Sequence, residues 1–350
     1  VLQDLDRMDE ALACFERAVA LAPEFAMARL NLGMAQLKLG HWRAGWDNYE
    51  ARWTGSAEAT NGQMARPPSS LPQWDGQGGT GTQRLLVITE QGFGDTFQFA
   101  RYLALAADRF AKVGFVCSGP TQRLMEWACS DRIVFMTRMP SDFDAWDWQC
   151  PLMSLPRAFR TTPETIPANV PYLTVPAVTA AHWRERLDLA APGRLRIGIA
   201  WAGRKGHQYD SRRSLAFRQI APLLTDDRVT WVSLQKWTAE EGPPQVPADV
   251  DWLDWTEELT DFADTAALVA GLDLVLSIDS SMVHLGGALG RPVWMMNRFD
   301  AEWRWFRHRA DSPWYPAMRI FNQPAFGDWD RVVADVRAAL AAVPVPRPPA

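Results

Sequence analysis

The sequence predicts an α/β protein with two doubly wound parallel sheets of similar size, preceded by a short all-α segment. Three patterns predict this fold: a helical repeat of period 34 over residues 1–53, alternating strands and helices over 83–192, and a second alternation over 193–342. Strands that alternate with helices form parallel sheets with right-handed crossovers. We therefore expect repeat helices, a linker at 54–82 rich in Gly, Ser, Pro and Thr, and two α/β domains.

Small and aromatic residues recur 34 positions apart in the first 53 residues. The recurring pairs are Leu5 with Leu39, Met8 with Trp42, Ala11 with Gly45, and Phe15 with Tyr49. This period is that of the tetratricopeptide repeat, a unit of two antiparallel helices. Two units are too few to bury a solenoid core alone, so we expect the end of a longer array or a cap docked on the next domain. A plain helical hairpin is the alternative.

Both α/β domains are predicted from buried apolar runs that alternate with amphipathic stretches. In the first domain the strands are RLLVITE, KVGFVCS and RIVFM, and the helices are DTFQFARYLALAADRF, PTQRLMEWACS and AAHWRERLDL. The proline-rich stretch 141–176 predicts loops and short helices at the edge of this domain. In the second domain the strands are LRIGIAWAG, VTWVSLQ, LVLSID, PVWMM and MRIFNQ, and the helices are SLAFRQIAPLL, DFADTAALVAGL, SMVHLGGALG and DWDRVVADVRAAL.

Composition excludes several classes of protein. A net charge of −5 with 36 Lys and Arg gives no basic stripe, which argues against a nucleic-acid binder. No apolar run approaches the roughly 18 residues that a membrane span needs. The four cysteines form no C-x-x-C pair and are expected to be reduced thiols of a cytoplasmic protein.

The stretch LDLVLSIDSSMVHLGGALGRPVW, residues 272–294, predicts an anion site. Its strand ends at Asp279, and Ser280 or Ser281 can cap the helix that follows. The free N–H groups and the positive dipole at the start of that helix attract anions. His284 lies one turn into the helix, so its side chain can lean back toward the same end. The alternative is an ordinary capped helix whose histidine bonds to a backbone carbonyl.

A second anion-prone stretch is IAWAGRKGHQYDSRRSLAFRQIAPLL, residues 199–224. Its strand ends at Trp201 and Gly203, and Ser214 is placed to cap the next helix. The loop between them carries Arg204, Lys205, His207, Arg212 and Arg213. Arginine and lysine at the carboxyl end of a strand can grip a diphosphate. A solvated basic loop is the alternative.

Three polar residues follow the strand VTWVSLQ. They are Gln235, Lys236 and Glu240, and they are placed to meet a ribose or a phosphate. A solvated turn is an equally open interpretation.

The stretches GFGDTFQFARYL and SIDSSMVHLGGALGRPV together resemble the inverting glycosyltransferases related to lipopolysaccharide heptosyltransferases. The order of repeat, linker and these motifs resembles bacterial repeat-containing glycosyltransferases and, more remotely, the O-linked N-acetylglucosamine transferases. The resemblance implies a GT-B fold, in which two Rossmann-like domains face a cleft, and a nucleotide-diphosphate sugar as donor. The family's usual lysine before the helix at 215 is replaced by Arg213. The expected donor-binding residues are Trp201, Gly203, Arg213, Gln235, Lys236, Asp279, Ser280, Ser281 and His284.

The resemblance also implies a catalytic role for Asp95, on the glycine turn of the first α/β domain. The family uses the aspartate of this turn as general base, and the domain lacks the full G-x-G-x-x-G of a nucleotide holder. A carboxylate there can take the proton of an acceptor hydroxyl as the glycosidic bond forms. We expect Asp95 at the head of a helix that starts near Thr96; an N-cap role is the alternative. Glu90 is a weaker candidate for the base.

Two further motifs are given structural roles. The sequence DFD at 142–144 matches the D-x-D of metal-dependent glycosyltransferases, but that motif works in a different fold, so no metal is expected. The leaving diphosphate is then stabilised by Arg213, His284 and the helix start. The aromatic and arginine-rich stretch EWRWFRHRADSPWYP is expected to serve core packing and interdomain contact, with sugar stacking as the alternative.

The expected function is an inverting, metal-independent glycosyltransferase without a cofactor. It moves a sugar from a nucleotide-diphosphate donor to a hydroxyl of a protein or glycan acceptor, which the repeats would help to recruit. The first alternative is a repeat-based scaffold with a nucleotide-binding but non-catalytic α/β half. The second is a sugar-nucleotide epimerase or phosphorylase of the same fold.

Overall fold

The computed structural model describes residues 1–62, 64–67, 69–128, 130–206, 208–237 and 242–345. The chain divides into two units. Unit 1 holds the described residues of 1–122, 129–168 and 300–309, and unit 2 holds those of 123–128, 169–299 and 310–350. Each unit contains one parallel sheet. The predicted parallel α/β fold is therefore confirmed. Each unit is made of three separate stretches of the chain, whereas the sequence predicted continuous domains.

The helices and strands are numbered in chain order. The α-helices are α1 Met8–Leu21, α2 Ala26–Lys38, α3 Trp42–Tyr49, α4 Arg52–Gly55, α5 Ala57–Thr60, α6 Phe93–Phe99, α7 Arg101–Arg109, α8 Gly119–Ala128, α9 Leu155–Ala158, α10 Ala177–Ala190, α11 Asp210–Arg213, α12 Phe217–Ile220, α13 Phe262–Val269, α14 Ser281–Ala288 and α15 Trp329–Leu340. The strands are β1 Arg84–Ile88, β2 Lys112–Val116, β3 Ile133–Met136, β4 Trp148–Pro151, β5 Leu195–Ala200, β6 Val229–Ser233, β7 Trp252–Leu253, β8 Leu274–Ile278, β9 Val293–Asn297 and β10 Met318–Asn322. None of the described helices is long and apolar enough to cross a membrane.

The two sheets are built from runs of apolar residues that are buried on both faces. The strand order is β3-β2-β1-β4 in unit 1 and β10-β9-β8-β5-β6-β7 in unit 2, and every pairing is parallel. In β1 the side chains from Leu85 to Ile88 are all buried, as expected for a parallel strand covered by helices. Central strands end at a common edge, which places the residues after them close together.

The sequence missed two strands and misplaced two helix boundaries. β4 lies in the stretch expected to form loops, where a four-residue strand ending in proline gives little periodic signal; β7 has two residues. The long helix predicted from Asp95 to Phe110 is two helices, α6 and α7, and it begins at Phe93. Ser214 does not cap the next helix, because α12 begins at Phe217 and its N-cap is Ala216.

Helix α10 belongs to unit 2 although the predicted domain boundary lies after it, at 192/193. Leu187 of α10 is fully buried, and a Cβ at Gly271 would lie 2.7 Å from its Cδ1. Gly271 lies just after the end of α13. This close contact therefore packs α10 against a helix of unit 2. The structural division accordingly falls at 168/169.

The first three helices pack closely on one another. A Cβ at Gly33 of α2 would lie 2.7 Å from the backbone nitrogen of Tyr49, so a side chain at that position would push α2 and α3 apart. Met8, Trp42 and Tyr49 are buried as expected, whereas Phe15 is only partly buried. Met8, Trp42 and Tyr49 thus serve helix packing, whereas Leu5 is 55% exposed.

The same helices dock on the α/β part of unit 1. The Trp46 indole donates a hydrogen bond to the Thr161 carbonyl over 3.0 Å, and Arg157 pairs with Asp47 at 2.6 Å. The predicted linker is also structured: Trp74 is fully buried, with its ring centroid 5.1 Å from that of Phe110. The helical start and the first sheet form one packed body.

Candidate functional site

The residues predicted to bind a donor follow three neighbouring strands of unit 2. Gly203 comes shortly after β5, Gln235 after β6, and Asp279 directly after β8. In an open parallel sheet, the carboxyl ends of such strands are where ligands bind. The structure therefore brings these parts of the prediction to one edge.

Arg213 joins two of these strand ends. It is the last residue of α11, its side chain is 15% exposed, and its Nη1 donates to the Asp279 carbonyl over 2.9 Å. Its Nε is buried without a hydrogen bond among the described residues and lies 3.6 Å from Asp210 Oδ1, at ion-pair distance. Since a guanidinium carries five N–H donors, Arg213 keeps donors for an anionic ligand.

Gly203 makes room for that guanidinium. A Cβ at this position would lie 2.8 Å from Cζ of Arg213, well inside contact distance. The Gly203 amide donates to the Ser214 hydroxyl over 2.9 Å, and that hydroxyl donates to Asp210 over 2.8 Å. Ser214 thus stabilises the turn that holds Arg213, a role different from the helix cap predicted for it.

Helix α14 begins with the predicted cap. Ser280 is the N-cap, and its hydroxyl accepts the amide hydrogen of Met282 over 3.2 Å. Ser281 is the first helical residue, so the amides of the first turn lie beside the Asp279 carbonyl that Arg213 contacts. A cation and a helix start therefore lie together after β8.

His284 is buried and bonds to a tyrosine. Its Nδ1 lies 2.9 Å from the Tyr315 hydroxyl, and a Cβ at Gly287 would lie 2.6 Å from Cγ of that tyrosine ring. Glycine at 287 thus admits the ring. The sequence predicted either an anion contact or a bond to a backbone carbonyl for His284. Neither prediction included Tyr315, which lies 31 residues further along the chain.

Gln235 and Lys236 make bonds within the protein. The Gln235 side-chain oxygen accepts the backbone amides of Trp201 and Ala202 over 3.2 and 3.0 Å, which ties the ends of β5 and β6 together. Lys236 donates its ammonium to the Leu259 carbonyl. Both residues stabilise the edge through these contacts. The predicted contacts at His207 and Glu240 lie outside the described residues.

Trp201 belongs to the core of unit 2. It is 7% exposed, and its ring centroid lies 5.2 Å from that of Phe217 and 6.2 Å from that of Trp252. These ring contacts stabilise the end of β5. They give no direct evidence that Trp201 contacts the donor, as the sequence predicted.

The basic loop after β5 runs along the edge toward β9 and β10. The Arg298 guanidinium lies 4.4 Å from the centroid of the Tyr209 ring, and Arg212 lies 5.6 Å from the centroid of Phe326, which is 62% exposed. Sequence reasoning missed Tyr209, Arg298 and Phe326, because each follows a different strand and no short motif connects them.

Asp95 is the third residue of α6 and not the residue before the helix. Its Oδ2 accepts the Gly92 amide over 2.9 Å, and its Oδ1 accepts a hydrogen bond from Arg304. The helix starts earlier than expected because Gly92 is its N-cap. Arg304 was not singled out from the sequence; it lies in the predicted aromatic and arginine-rich stretch, which the structure places partly in unit 1.

Glu90 is committed to a buried ion pair. Its two oxygens lie 2.8 and 2.9 Å from Arg52, and the Met153 amide donates to it over 3.1 Å. Burial raises the pKa of Glu90, against the opposing charge of Arg52. Arg52 is 1% exposed and also contacts Glu50. Glu90 therefore stabilises the contact between the helical start and β1.

Neither the D-x-D motif nor the cysteines form a metal cluster in the part of the chain that the structure describes. No group of three or more His, Cys, Asp or Glu is placed there to hold an ion. Asp142 instead accepts the backbone amide of Asp144 over 2.8 Å in a local turn. Cys14, Cys117 and Cys150 form no disulfide among the described residues, and burial raises the pKa of Cys150 well above its ordinary value.

Comparison with known proteins places this architecture among glycosyltransferase folds. No family model matches the chain. It is 27% identical, over an alignment of 363 residues, to the protein FlbA of Caulobacter vibrioides; the match covers 96% of this chain and 59% of FlbA. The chain thus spans about three fifths of the length of that relative.

Two solved structures share the fold. One is a glycosyl transferase of family 9 from Veillonella parvula, with a TM-score of 0.53 and 9% identity, covering 75% of this chain and 98% of that one. The other is the ADP-heptose lipopolysaccharide heptosyltransferase II of E. coli, with a TM-score of 0.50 and 14% identity, covering 74% and 98%. The described units of this chain therefore have the α/β fold of these glycosyltransferases, as the sequence motifs predicted.

Proposed function

We propose that this chain is a glycosyltransferase that moves a sugar from a nucleotide-diphosphate donor to a hydroxyl, with inversion at the sugar. The observation that carries the proposal is the carboxyl edge of unit 2. There Arg213, held by the Asp279 carbonyl and seated on Gly203, lies beside the capped start of α14. The shared fold of the two glycosyltransferases supports the same reaction class.

The leaving diphosphate sets the demands on this site. When the bond between the sugar and the diphosphate breaks, negative charge grows on the leaving oxygen. Preorganised N–H donors and a fixed cation stabilise such charge without reorganising. In our proposal, Arg213 and the first-turn amides of α14 do this work, without a metal ion and without a cofactor.

Asp95 is the proposed general base. It would take the proton of the acceptor hydroxyl while that oxygen forms the new bond to the sugar carbon. The carboxylate has about four lone-pair positions. Its contacts with Gly92 and Arg304 use one position on each oxygen, which leaves room for an acceptor hydroxyl. The second carboxylate nearby, Glu90, is held by Arg52.

We also propose that the acceptor hydroxyl lies on a protein, which the helical start helps to recruit. The support is the turn between α1 and α2, where Leu21, Phe25 and Met27 are exposed apolar side chains. Replacing all three by serine should leave donor hydrolysis intact and slow transfer to a protein acceptor. Equal transfer rates would remove recruitment from the proposal.

A donor screen on the full chain tests the function. Thermal unfolding is followed with UDP-N-acetylglucosamine, GDP-mannose, ADP-heptose and, as a control without a diphosphate, CMP-sialic acid. A ligand that binds only the folded protein adds about 2.7 kcal/mol at one hundred times its Kd. We expect one diphosphate sugar to raise the Tm and to be hydrolysed, equally with and without EDTA. If none binds, the proposal is wrong; a loss of binding with EDTA would overturn metal independence.

A further inference from the structure

We propose that Arg304 is a positioning residue for Asp95, and that helix α3 and the residues before α1 hold it in place. This inference rests on the proposed function, in which Asp95 accepts the proton. It adds a role for the helical start that is independent of any partner protein.

Arg304 holds Asp95 from the opposite side of the helix start. Its guanidinium donates to Asp95 Oδ1, to Gln98 Oε1 at 2.6 Å, and to Glu302. Its side chain is 9% exposed. Two of these oxygen acceptors lie on α6, so the guanidinium is fixed relative to the helix that carries the base.

Aromatic rings fix the guanidinium further. Its central carbon lies 4.5 Å from the ring centroid of Trp303 and 5.6 Å from that of Phe99. Arginine binds such rings with its flat face while its edge keeps the planar N–H donors for oxygen acceptors. The combination fixes the direction in which the donors point, and with it the orientation of the Asp95 carboxylate.

The segment that carries Arg304 is held by the helical start. Residues 300–309 belong to unit 1, although the residues before and after them in sequence belong to unit 2. The Phe306 ring stacks on Trp42 with centroids 5.6 Å apart, and Trp303 packs edge-on against Trp46 at 5.3 Å. The two indole rings come from α3 and hold the segment on both sides of Arg304.

Two details indicate that this placement is enforced. Phe306 has φ +59° and ψ −155°, a conformation that is costly for a residue with a side chain and persists only where its surroundings fix it. Arg307 contacts Asp6 through both a carboxylate oxygen at 3.1 Å and the backbone carbonyl at 2.9 Å. The helical start thus anchors the segment at Trp303, Phe306 and Arg307.

A purely stabilising role would predict a different result from a positioning role. Buried ion pairs contribute little net stability compared with apolar packing, although loss of one partner is costly. A positioning role predicts that Arg304 acts on turnover through Asp95. Its loss should therefore matter only while Asp95 is present.

A double-mutant cycle tests this prediction. The substrate is the sugar nucleotide that the wild-type protein hydrolyses fastest among UDP-N-acetylglucosamine, GDP-mannose and ADP-heptose. We compare kcat and KM for its hydrolysis by four variants: Arg304→Gln, Arg304→Lys, Asp95→Asn and the double variant Arg304→Gln/Asp95→Asn.

We expect Arg304→Gln to lower kcat by about tenfold or more and to leave KM within about twofold. Arg304→Lys should recover part of the loss, since a lysine keeps the charge but not the planar donors.

The double variant should be no slower than Asp95→Asn alone, because coupled residues lose their effects together. The matched control is Arg132→Gln, which removes an exposed arginine–aspartate contact of unit 1, to Asp108, and leaves Asp95, Arg304 and residues 300–309 untouched. Its kcat should match the wild type. If Arg304→Gln does not fold, Arg304→Lys decides the question by the same comparison.

Three results would overturn the inference while leaving the proposed function in place: an unchanged kcat in both Arg304 variants, an equal loss in Arg132→Gln, or losses that add in the double variant. A wild-type protein that turns over none of the three sugar nucleotides would overturn the proposed function, and this inference with it.

Discussion

The two units present opposite chemistry at the same place in the fold. After β1 of unit 1, the strand-to-helix turn carries Glu90 and Asp95, and each acid is bound by a buried arginine. After β8 of unit 2, the corresponding turn carries Ser280 at a helix start, with Arg213 held by a backbone carbonyl. Arg52 and Arg304 are hydrogen-bonded directly to carboxylates, whereas Arg213 donates to a carbonyl and has its nearest carboxylate, Asp210, at 3.6 Å, so its charge is compensated less closely.

This difference assigns the roles of the two edges. The turn in unit 2 offers the Arg213 guanidinium and the first-turn amides of α14, which suit a diphosphate. The turn in unit 1 offers carboxylates, which suit a proton acceptor and would repel an anion. In unit 1 the arginine bonds to the proposed base, and in unit 2 the arginine is the proposed contact for the diphosphate.

The largest expected effect concerns stability and the acid that is not proposed to react. Arg52→Leu leaves the Glu90 carboxylate buried without its partner, and breaking such a pair typically costs about 3–5 kcal/mol. Arg157→Leu is the control, because its contact with Asp47 is exposed and exposed pairs contribute about 0–1 kcal/mol. Urea unfolding of both variants measures the difference. Equal losses would mean that Glu90 is not buried as described.

The second prediction concerns the acid that is proposed to react. Asp95→Asn keeps the size of the side chain, and its amide oxygen can still accept the Gly92 amide. Arg304 loses one carboxylate but keeps Gln98 and Glu302 as acceptors, so the protein should still fold, with some loss of stability. Loss of the proton acceptor should lower kcat about 100-fold or more with donor affinity kept. Asp142→Asn, in the D-x-D turn, should retain full turnover. Full activity in Asp95→Asn would assign the base to another residue.

The fold was readable from the sequence because its signals are local. Buried apolar runs and capped helices depend on neighbours within a few residues, so all strands except β4 and β7, the Ser280 cap and the glycine–aspartate turn could be predicted. The failures share a cause as well. Arg304 reaches Asp95 across 209 positions, and Gln235 reaches Trp201 across 34. Contacts made by long-range packing leave no periodic trace in one sequence.

The third prediction tests the cation at the edge of unit 2. Arg213→Ala should weaken binding of a nucleoside diphosphate by about 10- to 100-fold, the equivalent of one charge-assisted hydrogen bond of about 1.5–3 kcal/mol. Binding of the matching nucleoside should hardly change, since it has no phosphate. Arg218→Ala, an exposed arginine on α12, is the matched control. Titration calorimetry with ADP and adenosine, or with the pair for the preferred base, separates these outcomes; equal losses for both ligands would make Arg213 structural.

The smallest expected effect tests the position of that cation, with its charge unchanged. Gly203→Ala keeps Arg213 but adds a Cβ that would lie 2.8 Å from its Cζ. Because a guanidinium ends a flexible side chain, it can move aside at little cost in stability, so the Tm should stay close to that of the wild type. Moving it breaks the bond to the Asp279 carbonyl and turns the N–H donors away from the helix start. Diphosphate affinity should then fall several-fold, less than in Arg213→Ala, where the charge itself is lost.

Ala202→Ser, on the same turn, is the control for this prediction. Gly206→Ala would be a poor control, because that glycine has a positive φ. If Gly203→Ala binds the diphosphate as tightly as the wild type, the affinity depends on charge alone and the seat formed by Gly203 has no role in binding.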